Sequence, residues 1–416
     1  MSETQSNFRI DVDVATSLID AHMPQYPTEI VSLEASQGSI LRQQVVAERD
    51  QPPFDRVTMD GIAIRAWSPG PPTKQPAAGD GQRMYRVRGI QAAGAPAMEL
   101  GDAGNCVEIM TGAILPADAD TVIPVERIRR DGDQAILEPG YEPTPGQFIH
   151  RQASDHAAGI PLLESGITIG APEMAVLTIA GSATVEVARW PKIAVISTGD
   201  ELIDAGGPIE KFQIRSSNGL AIAAALEKRG CTNSERAHLR DDPKQLRLEI
   251  GRLHERNDVL ILSGGVSMGK YDYVPQIMRE LNIELVFHKI LQRPGLPMWF
   301  GVSAEHKPVF ALPGNPVSSL VCLARYVLPA IRKAMGAVIS QQAHVQLAEP
   351  VDFEPDLAYF LPVTLSFDDG GELHALPKPT NTSGDFVSLA GTDGIVELLH
   401  SSQHFPRGYV APFYAW

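Results

Sequence analysis

Three runs rich in glycine and hydroxyls carry the clearest chemical signal in this 416-residue chain. They are Ser197-Thr198-Gly199-Asp200-Glu201, Ser263-Gly264-Gly265-Val266-Ser267-Met268-Gly269 and Pro313-Gly314-Asn315-Pro316-Val317-Ser318-Ser319. Each follows an apolar run with the character of a buried strand: Ile193–Ile196, Val259–Leu262 and Val309–Leu312. Glycine lets backbone amides close on a phosphate, and a helix N-terminus adds partial positive charge. Any one of these runs alone is a tight strand-to-helix turn. Three leaving the carboxyl edge of one parallel sheet must face a common space, which points to a phosphate- or nucleotide-type ligand.

Acids gather at the same edge: Asp200, Glu201, Asp241, Asp242 and Asp272. Asp241, Asp242 and Asp272 also suit helix caps. Carboxylates beside a phosphate repel it unless a cation intervenes, so a Mg²⁺ ion bridging carboxylates and phosphate oxygens is the economical expectation. Two further motifs, Thr58-Met59-Asp60-Gly61 after the rigid Pro52-Pro53-Phe54, and Met110-Thr111-Gly112-Ala113, offer an acid, a hydroxyl and a free amide. They read equally as β-turns or as part of a site. No Gly-x-x-x-x-Gly-Lys-[Ser/Thr] loop or His-Glu-x-x-His pair is present. The scattered His150, His156 and His288 read as structural or surface residues.

The elements that must position these residues follow from pattern. Residues 187–336 alternate apolar strands with helical stripes such as Leu246, Ile250 and Leu253, and Asp241-Asp242-Pro243 is a strong helix start. The fold class expected is α/β, a doubly wound, mostly parallel sheet with helices on both faces. Pro313–Pro316 opens a long helix to about Met335. Residues 54–146 hold short β runs with a hairpin at Asp131-Gly132-Asp133 and a Pro- and Gly-rich loop at Ser68–Gly81, which suggests an inserted β-rich domain. From about Gly336 onward only short β runs recur, turning at Asp368-Asp369-Gly370-Gly371, as in a small barrel. Near the start, helical patterns cover Val12, Ala15, Leu18 and Ile19, and then Ile40, Leu41, Val45 and Val46 up to Asp50.

Composition narrows the function classes. A hydrophobic fraction of 44% with 20% charged residues is that of a globular protein of several domains. A net charge of −15 argues against a broad nucleic-acid surface, so an anionic ligand must be held locally. No apolar run reaches the length of a membrane span, and Glu3, Asp11, Asp13 and Asp20 do not fit a secretory leader, which makes a cytoplasmic protein the expectation. Cys106, Cys231 and Cys322 are odd in number and far apart, as expected of buried apolar side chains.

In series, these motifs resemble the molybdopterin molybdenumtransferase family, the bacterial molybdenum-insertion enzymes related to the E domain of gephyrin. The matching runs are Pro52–Asp55 with Met59-Asp60-Gly61, Ile109–Ala113 with Pro116 and Asp120, Ser197–Leu202, Asp241-Asp242-Pro243, Ser263–Gly269, Arg293-Pro294-Gly295-Leu296-Pro297 and Leu312–Ser318. They stand in the family's order over about residues 30–400. The resemblance implies four parts: a helical and extended linker domain from 1–51 and 148–186, an inserted β-rich domain from 52–147, an α/β domain from 187–336, and a C-terminal β-barrel from 337–416. It implies a homodimer whose active site is shared between subunits, with possible contacts to the molybdopterin adenylyltransferase and to molybdoenzymes. The implied reaction inserts molybdenum from molybdate into adenylylated molybdopterin, with Mg²⁺, and releases AMP.

Carried over by position, the resemblance marks Asp60, Asp155, Glu201, Asp241 and Asp272 as functional acids, with Glu201, Asp241 and Asp272 as the magnesium set. It assigns substrate contacts to Thr111 and Gly112, to Ser197, Thr198 and Gly199, to Ser263, Gly264, Gly265 and Ser267, to Arg293, Pro294 and Pro297, and to Pro313, Gly314, Asn315 and Ser318. The Arg293–Pro297 loop, in many members Lys-Pro-Gly-Lys-Pro, is the one that helps bind molybdate; here Arg293 is its remaining cation and Leu296 replaces the second lysine. Lys270 stands where an acid is common, Ile62 where a tyrosine is, and Ala153-Ser154 precede Asp155 in place of a Gly-Glu pair. A nucleotide-transferring relative on the same fold would lack the flanking domains. A pterin-binding scaffold would hold its ligand without releasing AMP.

Overall fold

A computed structural model describes residues 9–66, 83–265, 273–339 and 341–416. The Ser68–Gly81 loop, Ser267, Lys270 and Asp272 lie outside the described residues. The chain forms two compact units: Met1–Gln43, Ser165–Met174 and Thr184–Trp416 make one, Gln44–Glu164 and Ala175–Ala183 the other. No helix among the described residues is long and apolar enough to cross a membrane.

The larger unit is built on a six-stranded sheet. Its order is Ser234–Leu239, Ile193–Thr198, Val259–Ser263, Pro308–Leu312, Trp299–Ser303, Ile283–His288. The first four strands are mutually parallel, and the last two pair antiparallel at one edge. The continuous apolar runs are explained by two buried faces. Ile193, Val195, Val259, Ile261 and Phe310 pack on one side with Ile222 and Leu226 of the helix Asn218–Glu227 and with Val321. Ala194, Ile196, Leu260, Leu262 and Val309 face the other, against Leu246 and Ile250 of the helix Pro243–Arg256 and Val274 and Ile277 of Val274–Glu280. Each such aliphatic side chain contributes about 1.5–3 kcal/mol on burial. This is the expected α/β architecture with helices on both faces. Asp242 caps Pro243–Arg256 by accepting from the Gln245 amide at 2.8 Å, with proline in the first turn.

The expected long helix after Pro313 is not uniform. It runs α over Pro316–Cys322, widens to a π turn over Leu323–Val327, and resumes α over Leu328–Ala334. Pro329 has no N–H to donate back to the Arg325 carbonyl, so the regular ladder cannot pass through this turn. In the C-terminal part, Ala358–Phe367, Leu373–Pro377, His344–Leu347, Val410–Ala415 and Gly394–Leu398 pair in a ring that closes a five-stranded barrel. Asp368 shapes its hairpin by accepting from the Gly370 and Glu372 amides.

The smaller unit contains another six-stranded sheet, ordered Thr121–Pro124, Gly61–Ile64, Asn105–Ile109, Met84–Gln91, Gln134–Leu137, Ile128–Asp131. The Asp131-Gly132-Asp133 hairpin forms as expected, pairing Asp131 with Gln134. The second N-terminal helical pattern does not hold. Val45–Val46 is a short strand against Pro161–Leu163, and Ile40 and Leu41 bridge to Thr168 and Val187. Apolar spacing alone fits a helix, but these residues find strand partners more than 100 positions away, and the long-range pairing wins.

Candidate functional site

The three glycine-rich loops converge as the parallel sheet requires. A cavity of about 710 Å³ is lined by Ser197, Thr198, Gly199 and Glu201, by Ser263, Gly264 and Gly265, and by Pro313, Gly314 and Asn315. Asp241 reaches the same lining from the helix start, as does Pro297. The hydroxyl residues Ser197, Thr198 and Ser263 sit almost wholly inside, because each ends a buried strand. Glu201 is exposed and Asp241 half-buried, so two of the expected metal ligands face one space while the third, Asp272, is outside the described residues. The Thr198 hydroxyl is buried without a hydrogen-bond partner among the described residues, an expensive state for a polar group.

Several residues at or next to the lining were not singled out by the sequence. Asn218, first in its helix, donates from Nδ2 to Ser263 Oγ at 2.8 Å and to the Gly314 carbonyl at 2.7 Å, tying two loops together. Arg215 joins the lining, and its guanidinium donates to the carbonyls of Asp204 and Gly207. His238 Nε2 lies 2.9 Å from the Gly199 carbonyl. A serine-rich stretch before a helix start, Arg215–Asn218, is the only local hint of the first two; nothing local marks His238.

A second cavity of about 720 Å³ adjoins the first and shares Pro297, Pro313 and Asn315 with it. Its walls include Arg293, Pro294 and Ser318 from the α/β part, and Phe353, Tyr359 and Ser383 from the barrel. Gln292–Arg293 pairs alongside Ala358 and Tyr359, which anchors the proline loop to a barrel strand. Phe353 and Tyr359 stack at 4.2 Å. Burial pushes the Tyr359 phenol up, and Arg293 partly offsets that. Asn315 donates to Ser383 Oγ at 2.6 Å, so both cavities are tied to one loop.

Asp60, Thr111, Gly112 and Asp155 belong to the smaller unit. Pairing of Gly61 with Ile109 sets Asp60 beside the turn after the Asn105–Ile109 strand. Asp60 Oδ1 accepts from the Thr111 amide at 2.6 Å and from its hydroxyl at 2.7 Å. A β-carbon on Gly61 would lie 1.9 Å from the Ile123 carbonyl oxygen, so only glycine lets the strand follow Asp60 here. Asp155 Oδ1 lies 2.9 Å from His150 Nε2, and His150 Nδ1 lies 3.2 Å from Arg56 Nη2, so His150 is part of a polar chain rather than an isolated surface residue.

The Thr111 amide, then its hydroxyl, hold the Asp60 carboxyl below the ordinary carboxylate range. Thr111→Val keeps the amide and removes the hydroxyl, so the Asp60 pKa should rise part of the way back. Carboxyl titration followed by NMR checks this, and an unchanged value would show that the hydroxyl has no hold on Asp60. Because the pKa is depressed on folding, any stability this contact contributes is present above the unfolded carboxyl pKa and lost as pH falls through the folded one.

Three family models match the chain in series. A family model described as MoeA N-terminal region (domain I and II) matches residues 10–181. One described as probable molybdopterin binding domain matches 194–333, and MoeA C-terminal region (domain IV) matches 344–416. A molybdopterin molybdenumtransferase from Synechocystis sp. is 38% identical over 408 residues, covering 98% of this chain and all of that protein. Another of that name from Staphylococcus aureus is 30% identical, over 96% of this chain and 94% of that one. The solved molybdopterin biosynthesis MoeA protein of Pyrococcus horikoshii superposes with a TM-score of 0.81 at 29% identity, covering 98% and 99% of the two chains.

Proposed function

The chain belongs to the molybdopterin molybdenumtransferase family, and from that premise we propose that it transfers molybdenum from molybdate to adenylylated molybdopterin with release of AMP. Its role lies in molybdenum cofactor biosynthesis, as a transferase. The observation that carries the reaction is the meeting of three glycine loops and two acids in one cavity, beside a second cavity walled by Arg293. The first suits the phosphates of an adenylylated pterin; in the second, whose lining also includes Asp352 and Glu354, Arg293 is the group that would take an oxyanion. Glu201 and Asp241 line the first cavity with Arg215, a donor set of hard carboxylate oxygens that fits Mg²⁺, with Asp272 as the third member. When bound, the ion would supply neutralisation of phosphate charge.

This chain's own part is placement. Ser197, Thr198, Ser263 and the amides around Gly199, Gly264, Gly265 and Gly314 orient the phosphates, the Thr198 hydroxyl finds the partner it lacks, and Arg293 between its flanking residues holds the oxyanion near them. No covalent enzyme intermediate is needed, consistent with a lining that has no paired nucleophile and histidine among the described residues. We assign Asp60, Thr111, Gly112 and Asp155 to the same reaction in a homodimer, acting in the site of the other subunit. The protein is cytoplasmic in this reading, with the molybdopterin adenylyltransferase supplying its substrate and molybdoenzymes receiving its product.

The test is AMP release from adenylylated molybdopterin on adding molybdate, with and without Mg²⁺. Binding without AMP release would overturn the transfer reaction. In the same assay, a mixture of Asp60→Ala and Asp241→Ala subunits should recover activity that neither variant has alone. No recovery would count against a site shared by two subunits.

A further inference from the structure

The Arg293–Pro297 loop follows a side chain that no motif marked. Gln292 is fully buried, and a buried primary amide must place both its oxygen and its nitrogen against partners. Its oxygen accepts from the Tyr326 hydroxyl, and its Nε2 donates to the Pro294 carbonyl at 3.0 Å and faces Cys322 Sγ at 3.6 Å. Cys322 Sγ in turn lies 3.7 Å from the Gly295 carbonyl. Tyr326 and Cys322 belong to the helix that starts at Pro316, at the lip of both cavities, and Tyr326 sits in its π turn. Of two consecutive loop carbonyls, that of Pro294 thus accepts from Gln292 and that of Gly295 faces Cys322, while Tyr326 of the π turn holds the Gln292 oxygen. On the other side of the loop, the Ile290 amide donates to the Leu296 carbonyl at 2.9 Å. The loop is held at its base while Arg293 stays exposed.

We propose that Gln292 is the positioning residue of this loop: its buried amide, clamped between Tyr326 and the Pro294 carbonyl, sets where Arg293 and Pro297 stand and so sets the affinity for the oxyanion. The inference rests on the reading that the loop takes molybdate. Gln292 itself touches no substrate, since it has no exposed surface. The neighbouring thiol does not oppose an anion, because full burial pushes Cys322 up to about 12 and keeps it neutral. With a lysine absent at Leu296, the placement of the single cation Arg293 carries more of the selectivity.

Gln292→Leu keeps the volume and removes both hydrogen bonds; Tyr326→Phe removes only the one to the Gln292 oxygen. Molybdate dissociation constants from calorimetry, and KM for each substrate in the AMP-release assay, separate positioning from general damage. Gln292→Leu should weaken molybdate binding and raise its KM on the order of tenfold, as expected when a binding group is displaced by a fraction of an ångström to an ångström. The KM for adenylylated molybdopterin should stay, and saturating molybdate should restore kcat. Tyr326→Phe should shift the molybdate values the same way by less. An unchanged molybdate constant, or equal loss for both substrates, overturns the proposal. If Gln292→Leu fails to fold, Tyr326→Phe decides alone: an unchanged molybdate constant sinks the idea. An Arg293→Ala variant tells the two failures apart. Molybdate binding that ignores Arg293 would remove the loop from the oxyanion site altogether, whatever Gln292 does.

Discussion

Replacing Gly264 with alanine should cost the protein roughly a hundredfold in binding of adenylylated molybdopterin, the scale expected when a site is misplaced by about an ångström. Gly264 sits at φ +101, where a side chain is strained in any surroundings, at a cost of about 1–3 kcal/mol. Its surroundings are also closed. An added β-carbon would lie 2.8 Å from the Thr198 carbonyl oxygen and 3.0 Å from its hydroxyl. The carbonyl belongs to the end of the neighbouring strand Ile193–Thr198, so no rotamer change relieves the contact. Either that strand end or the loop after Ser263 must move, and both line the cavity. The Gly264 amide also donates to the Leu312 carbonyl at 3.2 Å, so movement is passed to the third loop. Equilibrium binding and denaturant unfolding of the same variant check the two parts. Wild-type affinity in a folded Gly264→Ala protein would mean that the glycine loops do not form the ligand surface.

The largest loss of stability should come from Glu397→Ala, about 3–5 kcal/mol. Glu397 and Arg325 form an ion pair at 2.8 Å with side chains only 4% and 8% exposed. The pair is completed by the Tyr414 hydroxyl on Glu397 Oε2 at 2.9 Å and by Thr16 Oγ1 on Arg325 Nη1 at 2.9 Å. The guanidinium lies 5.1 and 5.0 Å from the ring centres of Tyr326 and Tyr414. Burial works against the Arg325 charge, but Glu397 prevails and leaves its pKa above the ordinary guanidinium value. Without Glu397 a buried cation keeps its desolvation cost and is left with only the exposed Asp13 carboxylate, 3.7 Å away, as counter-charge. One contact set joins the first helix, the π turn and a barrel strand, so the loss should be felt across the larger unit. Replacing both partners, Arg325→Met with Glu397→Leu, should recover most of it, because an apolar pair of similar volume has no charge to strand. Denaturant unfolding of the single and double variants is the check; a single variant within about 1 kcal/mol of wild type would mean that the pair is solvated, as exposed pairs are.

What could be read from the residues alone is local and periodic. Continuous apolar runs such as Val259–Leu262 announced strands buried on both faces, and Asp242-Pro243 announced a helix start. Once the parallel strands share an edge, Ser197–Glu201, Ser263–Gly265 and Pro313–Asn315 have nowhere to go but one cavity. The antiparallel edge formed by Trp299–Ser303 and Ile283–His288 was not legible, since apolar alternation carries no strand direction. Val45–Val46 was misread because two residues are too few to display a period of two.

The polar residues that hold the site together were legible least of all. Asn218 binds groups 45 and 96 positions away, Gln292 answers to Tyr326, and Asp60 meets Thr111 only because Gly61 pairs with Ile109. By itself the sequence determined which loops would meet at one cavity and which family they resemble, because turn chemistry and hydrophobic period act within a few residues. Only the tertiary structure decided that Arg215 and Asn218 join that lining, that Arg293 opens on a second cavity, and that Gln292 sits beneath it. An amide or guanidinium side chain has no preferred local partner, and its role is set by whichever distant backbone the fold brings within hydrogen-bond reach.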